Sequence, residues 1–257
     1  MKVVILAGGY GTRISEESHL RPKPMIEIGG QPILWHIMKY YSSFGYDEFV
    51  ICGGYKQECI KDYFANYYLH CNDVTFDFKK QQQLIVHNNV AEPWSVTVVN
   101  TGLDTMTGGR VKRIQEYIGN EDFLLTYGDG LSDVPIDKVV ELHKEQKKIV
   151  TMTAVQIGGR FGTLEIKPDL KVSSFAEKRK EDGGWINGGF MVVSPAIFER
   201  IEGDSTIFER EPLESLVEDE EIVAYKHGGF WQCMDTMRDK ESLERIWATG
   251  QAPWKKW

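Results

Sequence analysis

Four groups of residues in this chain are of the types that handle polyanions. The first is Gly8-Gly9-Tyr10-Gly11-Thr12-Arg13, half glycine and ending on a cation. Glycine lets backbone N–H groups approach an anion closely. The second is Arg21-Pro22-Lys23-Pro24-Met25, two cations in a backbone stiffened by proline. Together they suit a nucleotide or another phosphate with several charges. The other two groups are acids: Asp129 in Gly128-Asp129-Gly130, and Asp235 after Trp231-Gln232-Cys233-Met234. Two carboxylates remote in sequence are the usual minimum for a Mg2+ ion that also uses substrate phosphates. Each has a plainer alternative. Gly-Asp-Gly makes an ordinary turn, and Asp235-Thr236-Met237-Arg238 makes a good helix start with the acid as its cap.

Neighbouring chemistries are excluded by spacing. From Gly9 the sequence runs Gly-Tyr-Gly-Thr-Arg-Ile, so the third glycine of a dinucleotide fingerprint is missing. No G-x-x-x-x-G-K-[ST] phosphate loop is present. Glu177-Lys178-Arg179-Lys180 is either a solvated turn or a clamp on a second phosphate. Asn187-Gly188-Gly189 interrupts a β-rich run, and glycine weakens a strand unless something must come close to its backbone. A sugar, with hydroxyls for amide and backbone partners, suits that place.

These residues need elements to hold them. Lys2 to Ala7 is a short apolar run with β-branched residues, a buried strand that delivers the glycine loop. Ile33, Ile37, Tyr40, Tyr41 and Phe44 share one helical face, Glu48 to Cys52 is a second strand, and a helix runs from about Gln57 to Tyr68. The order β-α-β-α predicts a parallel sheet with crossover helices. Strands at Val74–Phe78, Leu84–Val86 and Ser95–Val99 read as an inserted β region at about 70–100. Gly102 to Gly109 reads as a polar loop and Arg110 to Tyr117 as a short helix. Phe123 to Tyr127 then predicts a core strand ending at Asp129, and helices follow at Ile136–Gln146, Pro195–Arg200, Glu211–Glu218 and Arg238–Ala248, with strands at Ile149–Ala154 and Ile222–Tyr225. Ligands of open α/β sheets sit outside the carboxyl ends of the strands. The loops of Gly8 and Asp129 are therefore expected along one edge.

Composition narrows the partners. A net charge of −8 over 257 residues argues against general nucleic-acid binding, so cations for an anionic substrate must be concentrated locally. The longest apolar runs fall far short of the ~18 residues a membrane helix needs. The first apolar run is too short for a signal peptide. Cys52, Cys59, Cys71 and Cys233 form no C-x-x-C pair and suit reduced thiols in the cytoplasm. The six histidines show no zinc spacing.

In this order, Leu6-Ala7-Gly8-Gly9, Gly11-Thr12-Arg13, Lys23-Pro24-Met25, Gly128-Asp129-Gly130, Glu177-Lys178, Asn187-Gly188-Gly189 and Asp235 resemble the sugar-1-phosphate nucleotidylyltransferases. Pro32 to Met38, Tyr63 to Tyr67, Glu92-Pro93-Trp94, Thr107-Gly108-Gly109-Arg110, Gly229 to Thr236 and Ala252 to Lys255 are similar to the branch that joins CTP to glucose 1-phosphate. A proline usually follows the Glu-Lys pair in that family, and Arg179 stands there instead.

The resemblance implies one nucleotidyltransferase domain over 1–257, of GT-A-like, Rossmann-like α/β class. Its open sheet would be mixed but mostly parallel and flanked by helices, with the inserted region at 70–100 and a sugar-binding part at about 155–240. It implies CTP and α-D-glucose 1-phosphate as substrates, CDP-glucose and diphosphate as products, and Mg2+ on Asp129 and Asp235. Arg13 would meet the leaving phosphates and Lys23 the α-phosphate. Leu6 to Arg13, Gly128 and the 101–110 loop would hold the nucleotide, with Asp104, Thr107, Gly109 and Arg110 nearest the base. Lys178 would bind the sugar phosphate; Glu177, Asn187, Gly188 and Gly189 would bind the sugar. A cytoplasmic homo-oligomer serving deoxysugar and O-antigen synthesis is the expected setting. UTP or dTTP, another hexose 1-phosphate, or a silent nucleotide-sugar-binding subunit remain open. The Trp254-Lys255-Lys256-Trp257 tail, the aromatic patch Tyr63 to Tyr68 and the inserted region are candidate subunit contacts, and the tail can equally pack on its own chain.

Overall fold

The computed structural model describes residues 1–79, 83–156, 163–176 and 184–257. Its centre is the strand Val3–Ala7, buried at every position. Parallel partners flank it on both sides: Glu48–Gly53 and Phe123–Tyr127. A fourth parallel strand, Ser95–Asn100, lies beyond Glu48–Gly53, in register from Glu48↔Ser95 to Gly53↔Asn100. This corrects the expectation that Ser95–Val99 belongs to the insertion. The segment instead completes the hydrogen-bonding edge of the main sheet, and sequence alone does not name a strand's neighbour. Among the described residues the insertion is the antiparallel pair Val74–Asp77 and Gln83–Val86.

On the other side of Phe123–Tyr127 the sheet turns antiparallel through Met191–Val193. Val150–Gln156 follows, paired antiparallel with Met191–Val193 and Trp185–Asn187 and parallel with Ile222–His227. Trp185 to Val193 is thus one strand path broken in the middle. Gly189 sits at φ 74° and Phe190 at φ 45°, and Phe190 swings into the core to stack on Tyr41. Thr163–Ile166 and Val172–Ala176 finish this edge.

Helices cover both faces. Ile33–Ser42 buries Ile33, Leu34, Ile37, Met38, Tyr40 and Tyr41, the spacing its sequence predicts. Ile136–Gln146 and Glu211–Glu218 have the predicted bounds. The helix expected from Arg110 starts earlier, at Thr107, and breaks at Ile114 into Thr107–Arg113 and Gln115–Ile118. Pro195–Arg200 is a 3-10 turn.

The C-terminal tail packs on its own chain. Trp254 is fully buried, stacked on Phe230 and Trp247, and its indole N–H donates to His36 Nδ1 at 3.3 Å. His36 Nε2–H in turn donates to the Ile28 carbonyl at 2.8 Å, so one tautomer serves both bonds. Burial pushes the His36 pKa down to about 4. Trp247 also fills the space beside Gly29, where a Cβ would lie 1.9 Å from its ring nitrogen. The tail therefore braces the last helix, Met237–Ala248, against the body of the protein.

Candidate active site

The carboxyl ends of the parallel strands share one edge, because Ala7 pairs with Gly53, Leu6 with Tyr127 and Gly53 with Asn100. The loops leaving that edge build a cleft of about 500 Å³. Residues Leu6 to Ile14 form one wall. Gly8 is glycine for want of space: a Cβ there would lie 2.2 Å from Arg110 Nη1. Arg110 itself is buried beneath the loop, donating to Thr101 Oγ1 at 2.8 Å, the Gly102 carbonyl at 2.7 Å and the Leu103 carbonyl at 3.1 Å. Burial lowers its pKa below the usual guanidinium value, yet it stays a cation under the glycines. Gly11 takes the left-handed conformation, φ 65°, that turns the chain into Thr12–Ile14. Tyr10 Oη donates to Asp104 Oδ1 at 2.8 Å, which joins the glycine loop to the 103–107 loop across the cleft.

At one end of the cleft the four charged groups predicted from sequence converge. Lys23 Nζ lies 2.5 Å from Asp129 Oδ2 and 2.6 Å from Asp235 Oδ1. Arg13 Nη1 lies 2.6 Å from Asp235 Oδ2. Burial alone would lower the Lys23 pKa, but the Asp129 and Asp235 carboxylates outweigh it and raise the ammonium above its ordinary value. Backbone bonds fix the two acids: Gly128 N–H donates to the Leu6 carbonyl at 2.9 Å, and Met234 N–H to the Asp129 carbonyl at 2.8 Å.

The helix-cap alternative for Asp235 is resolved by geometry. Thr236 is the N-cap of Met237–Ala248, in a reciprocal capping box with Asp239. The Asp235 side chain is thereby left to Lys23 and Arg13. No group of three or more metal-ligating side chains occurs among the described residues. A divalent cation that draws its remaining oxygens from phosphates and water needs fewer. The Asp129 and Asp235 oxygens already converge on one cationic point, the Lys23 ammonium, so this donor pair fits such an ion.

Of the residues expected nearest the base, Asp104, Thr107 and Arg110 line the cleft. Gly109 is not among its lining residues and instead backs onto the 204–206 segment, where a Cβ would lie 2.5 Å from Asp204 Cα. Gly108 is similarly tight against the Thr206 carbonyl. Close packing of that segment on the helix Thr107–Arg113 is thus what the Thr107-Gly108-Gly109-Arg110 run requires. Asn187 lies behind Tyr127, a cleft residue, with Nδ2 donating to Tyr127 Oη at 3.3 Å and Oδ1 accepting from Gly189 N–H at 2.9 Å. Gly188 and Gly189 sit at the strand break: a Cβ on Gly188 would lie 2.9 Å from the Val155 side chain, and Gly189 holds φ 74° with the Tyr127 ring 3.1 Å from where its Cβ would be. Glu177 and Lys178 lie outside the described residues. Sequence reasoning missed Tyr127 and Glu209: Glu209 accepts from both Tyr127 Oη and Thr107 Oγ1 at 2.6 Å, with no local motif to mark it.

A glycine-walled cleft at the carboxyl edge of an open α/β sheet, closed by paired cations and carboxylates, defines a protein that handles nucleotide phosphates. The chain belongs to the nucleotidyl transferase family, whose model matches residues 2–232. It is 53% identical, over the whole of both chains, to glucose-1-phosphate cytidylyltransferase of Salmonella typhimurium. It is 43% identical, again at full length, to a probable glucose-1-phosphate cytidylyltransferase of Bacillus subtilis. Among solved structures it is similar to HddC from Yersinia pseudotuberculosis, with a TM-score of 0.76 and 25% identity over 96% of this chain and 99% of that one.

Proposed function

We propose that this protein transfers CMP from CTP to α-D-glucose 1-phosphate, giving CDP-glucose and diphosphate. The observation that carries this is the convergence of Arg13 and Lys23 on Asp129 and Asp235 at the mouth of the glycine-walled cleft. The full-length identity to a glucose-1-phosphate cytidylyltransferase and to a probable one supports the choice of substrates.

The sugar phosphate has a second pKa of about 6, so it is a nucleophile at neutral pH without a general base. One of its oxygens attacks the α-phosphorus of CTP in line, the bond to the bridging oxygen breaks, and diphosphate leaves. Catalysis is then positioning and charge stabilisation. Lys23, held high in pKa and mostly buried, keeps its charge for the α-phosphate. Arg13, the more exposed cation, reaches the leaving phosphates. Mg2+ bound by Asp129 and Asp235 would neutralise charge on the reacting phosphates. The glycine backbone from Gly8 to Gly11 lies against the nucleotide over the buried Arg110 charge. Asp104 stands at the cleft lip to accept from cytosine N4, a donor that uracil lacks. Glu177, Lys178 and the Asn187-Gly188-Gly189 segment serve the sugar phosphate. The product feeds deoxysugar and O-antigen synthesis in the cytoplasm, and the working unit is a homo-oligomer.

A panel of CTP, UTP, dTTP, GTP and ATP, each with glucose 1-phosphate and other hexose 1-phosphates, tests this by diphosphate release with and without Mg2+. CTP with glucose 1-phosphate is expected to dominate, and only with the metal. No release with any pair would sink the proposal. Release with UTP or dTTP in preference to CTP would replace the cytidylyl assignment. An unchanged CTP/UTP preference in Asp104→Asn would remove Asp104 from base selection.

A further inference from the structure

Glu209 is tied to both halves of the cleft. It lies in the segment between Pro195–Arg200 and Glu211–Glu218, far in sequence from everything it holds. Its Oε2 accepts from Thr107 Oγ1 and its Oε1 from Tyr127 Oη, each at 2.6 Å. Thr107 Oγ1 also accepts from Phe208 N–H at 2.9 Å, so its own proton is directed to Glu209. Tyr127 Oη accepts from Asn187 Nδ2, so its proton is directed there too. Asn187 Oδ1 receives the Gly189 N–H and thereby fastens the strand break. The path runs Thr107, Glu209, Tyr127, Asn187, Gly189, from the base-side loop to the sugar-side segment. Every bond in it has one polarity. A carboxylate accepts from two hydroxyls without a proton of its own. Glutamine at this place would present one acceptor and one donor and mismatch one of the two.

We propose that Glu209 is a positioning residue that couples the two half-sites, so that a nucleotide contacting the Thr107 loop orders Tyr127 and Asn187 for the sugar phosphate. This rests on the reading that the cleft takes CTP and that the 187–189 segment serves glucose 1-phosphate.

The test compares steady-state constants for both substrates in the wild type, Thr107→Ala, Tyr127→Phe and Glu209→Gln, and in the two double variants with Glu209→Gln. Thr107→Ala is expected to raise the KM of glucose 1-phosphate as well as that of CTP, and Tyr127→Phe the KM of CTP as well as that of the sugar. Each cross-effect should be about fivefold, the scale of one net hydrogen bond, and should shrink below about twofold in the Glu209→Gln background. A purely structural role would lower the melting temperature without this cross-pattern. Single variants that alter only their own substrate's KM would overturn the inference. Should Glu209→Gln fail to fold, the cross-effects of the two single variants still decide it. An active wild type without cross-effects removes this inference alone. A wild type inactive with every substrate pair removes the proposed function and this inference with it.

Discussion

Lys23→Met isolates the ammonium at the centre of the cluster. Methionine keeps an unbranched stem of similar length and removes only the charge. In the wild type Nζ lies 2.5 and 2.6 Å from two carboxylates, with the Lys23 and Asp235 side chains 12% and 11% exposed, so water screens the pairs poorly. Breaking such a pair by deleting one partner costs about 3–5 kcal/mol. Arg13 remains on Asp235 and Asp129 is 28% exposed, so the loss should fall near the lower end, about 3 kcal/mol by urea unfolding. Its pH dependence follows from the sign of the shift. Lys23 is raised in the folded state. Its contribution is therefore fully present below the ordinary lysine value and is lost only as pH rises through the raised one. The deficit should stay constant from about pH 6 to 9. The catalytic loss is separate. Removing one preorganised donor to a charged transition state costs about 100- to 1,000-fold in kcat, measured as diphosphate release from CTP and glucose 1-phosphate. A folded Lys23→Met with kcat/KM within about threefold of wild type would refute the assignment of Lys23 to the α-phosphate, since that is under 1 kcal/mol.

Three further outcomes are expected. His36 is neutral and buried with its pKa lowered to about 4, so the folded state binds fewer protons than the unfolded one between there and the ordinary 6.5. Stability should accordingly fall by about 3 kcal/mol as pH drops through that window, and His36→Gln should flatten the slope in urea titrations. Trp254→Ala empties a fully buried site and should cost about 3–5 kcal/mol by urea unfolding. Because that tail braces the helix that follows Asp235, kcat should fall as well. Gly8→Ala drives a Cβ onto the fixed Arg110 guanidinium and should cost about 1–3 kcal/mol of stability. It should also weaken CTP binding by about tenfold or more in calorimetry, since the glycine wall must shift.

The parallel core and the individual cations and acids of the cleft were legible because their signals are local. A buried strand running into glycines, prolines around Lys23 and an acid between glycines each declare themselves within a few residues. The edge strand Ser95–Asn100 was misplaced because a strand's partner is a tertiary fact. Asp235 was ambiguous because helix-start chemistry and metal-ligand chemistry use the same residue type. Only the fold shows Thr236 taking the cap and freeing the acid. Gly109 read as a base contact because a glycine carries no mark of which side is crowded, and here the crowding comes from Asp204. The docking of the tail was likewise open, since four aromatic and basic residues suit either a partner or the chain's own surface.

By itself, the sequence determined the order of strands and helices, the glycine loop and the four charged residues that would meet phosphates. Hydrophobic periodicity and backbone stereochemistry act over a few residues and need no distant partner. Tertiary structure alone decided that those four charges meet at one point, that Arg110 lies buried beneath Gly8, and that Glu209 bridges Thr107 and Tyr127. Each of those depends on which strand ends share a sheet edge, and so on contacts between residues 82 to 222 positions apart.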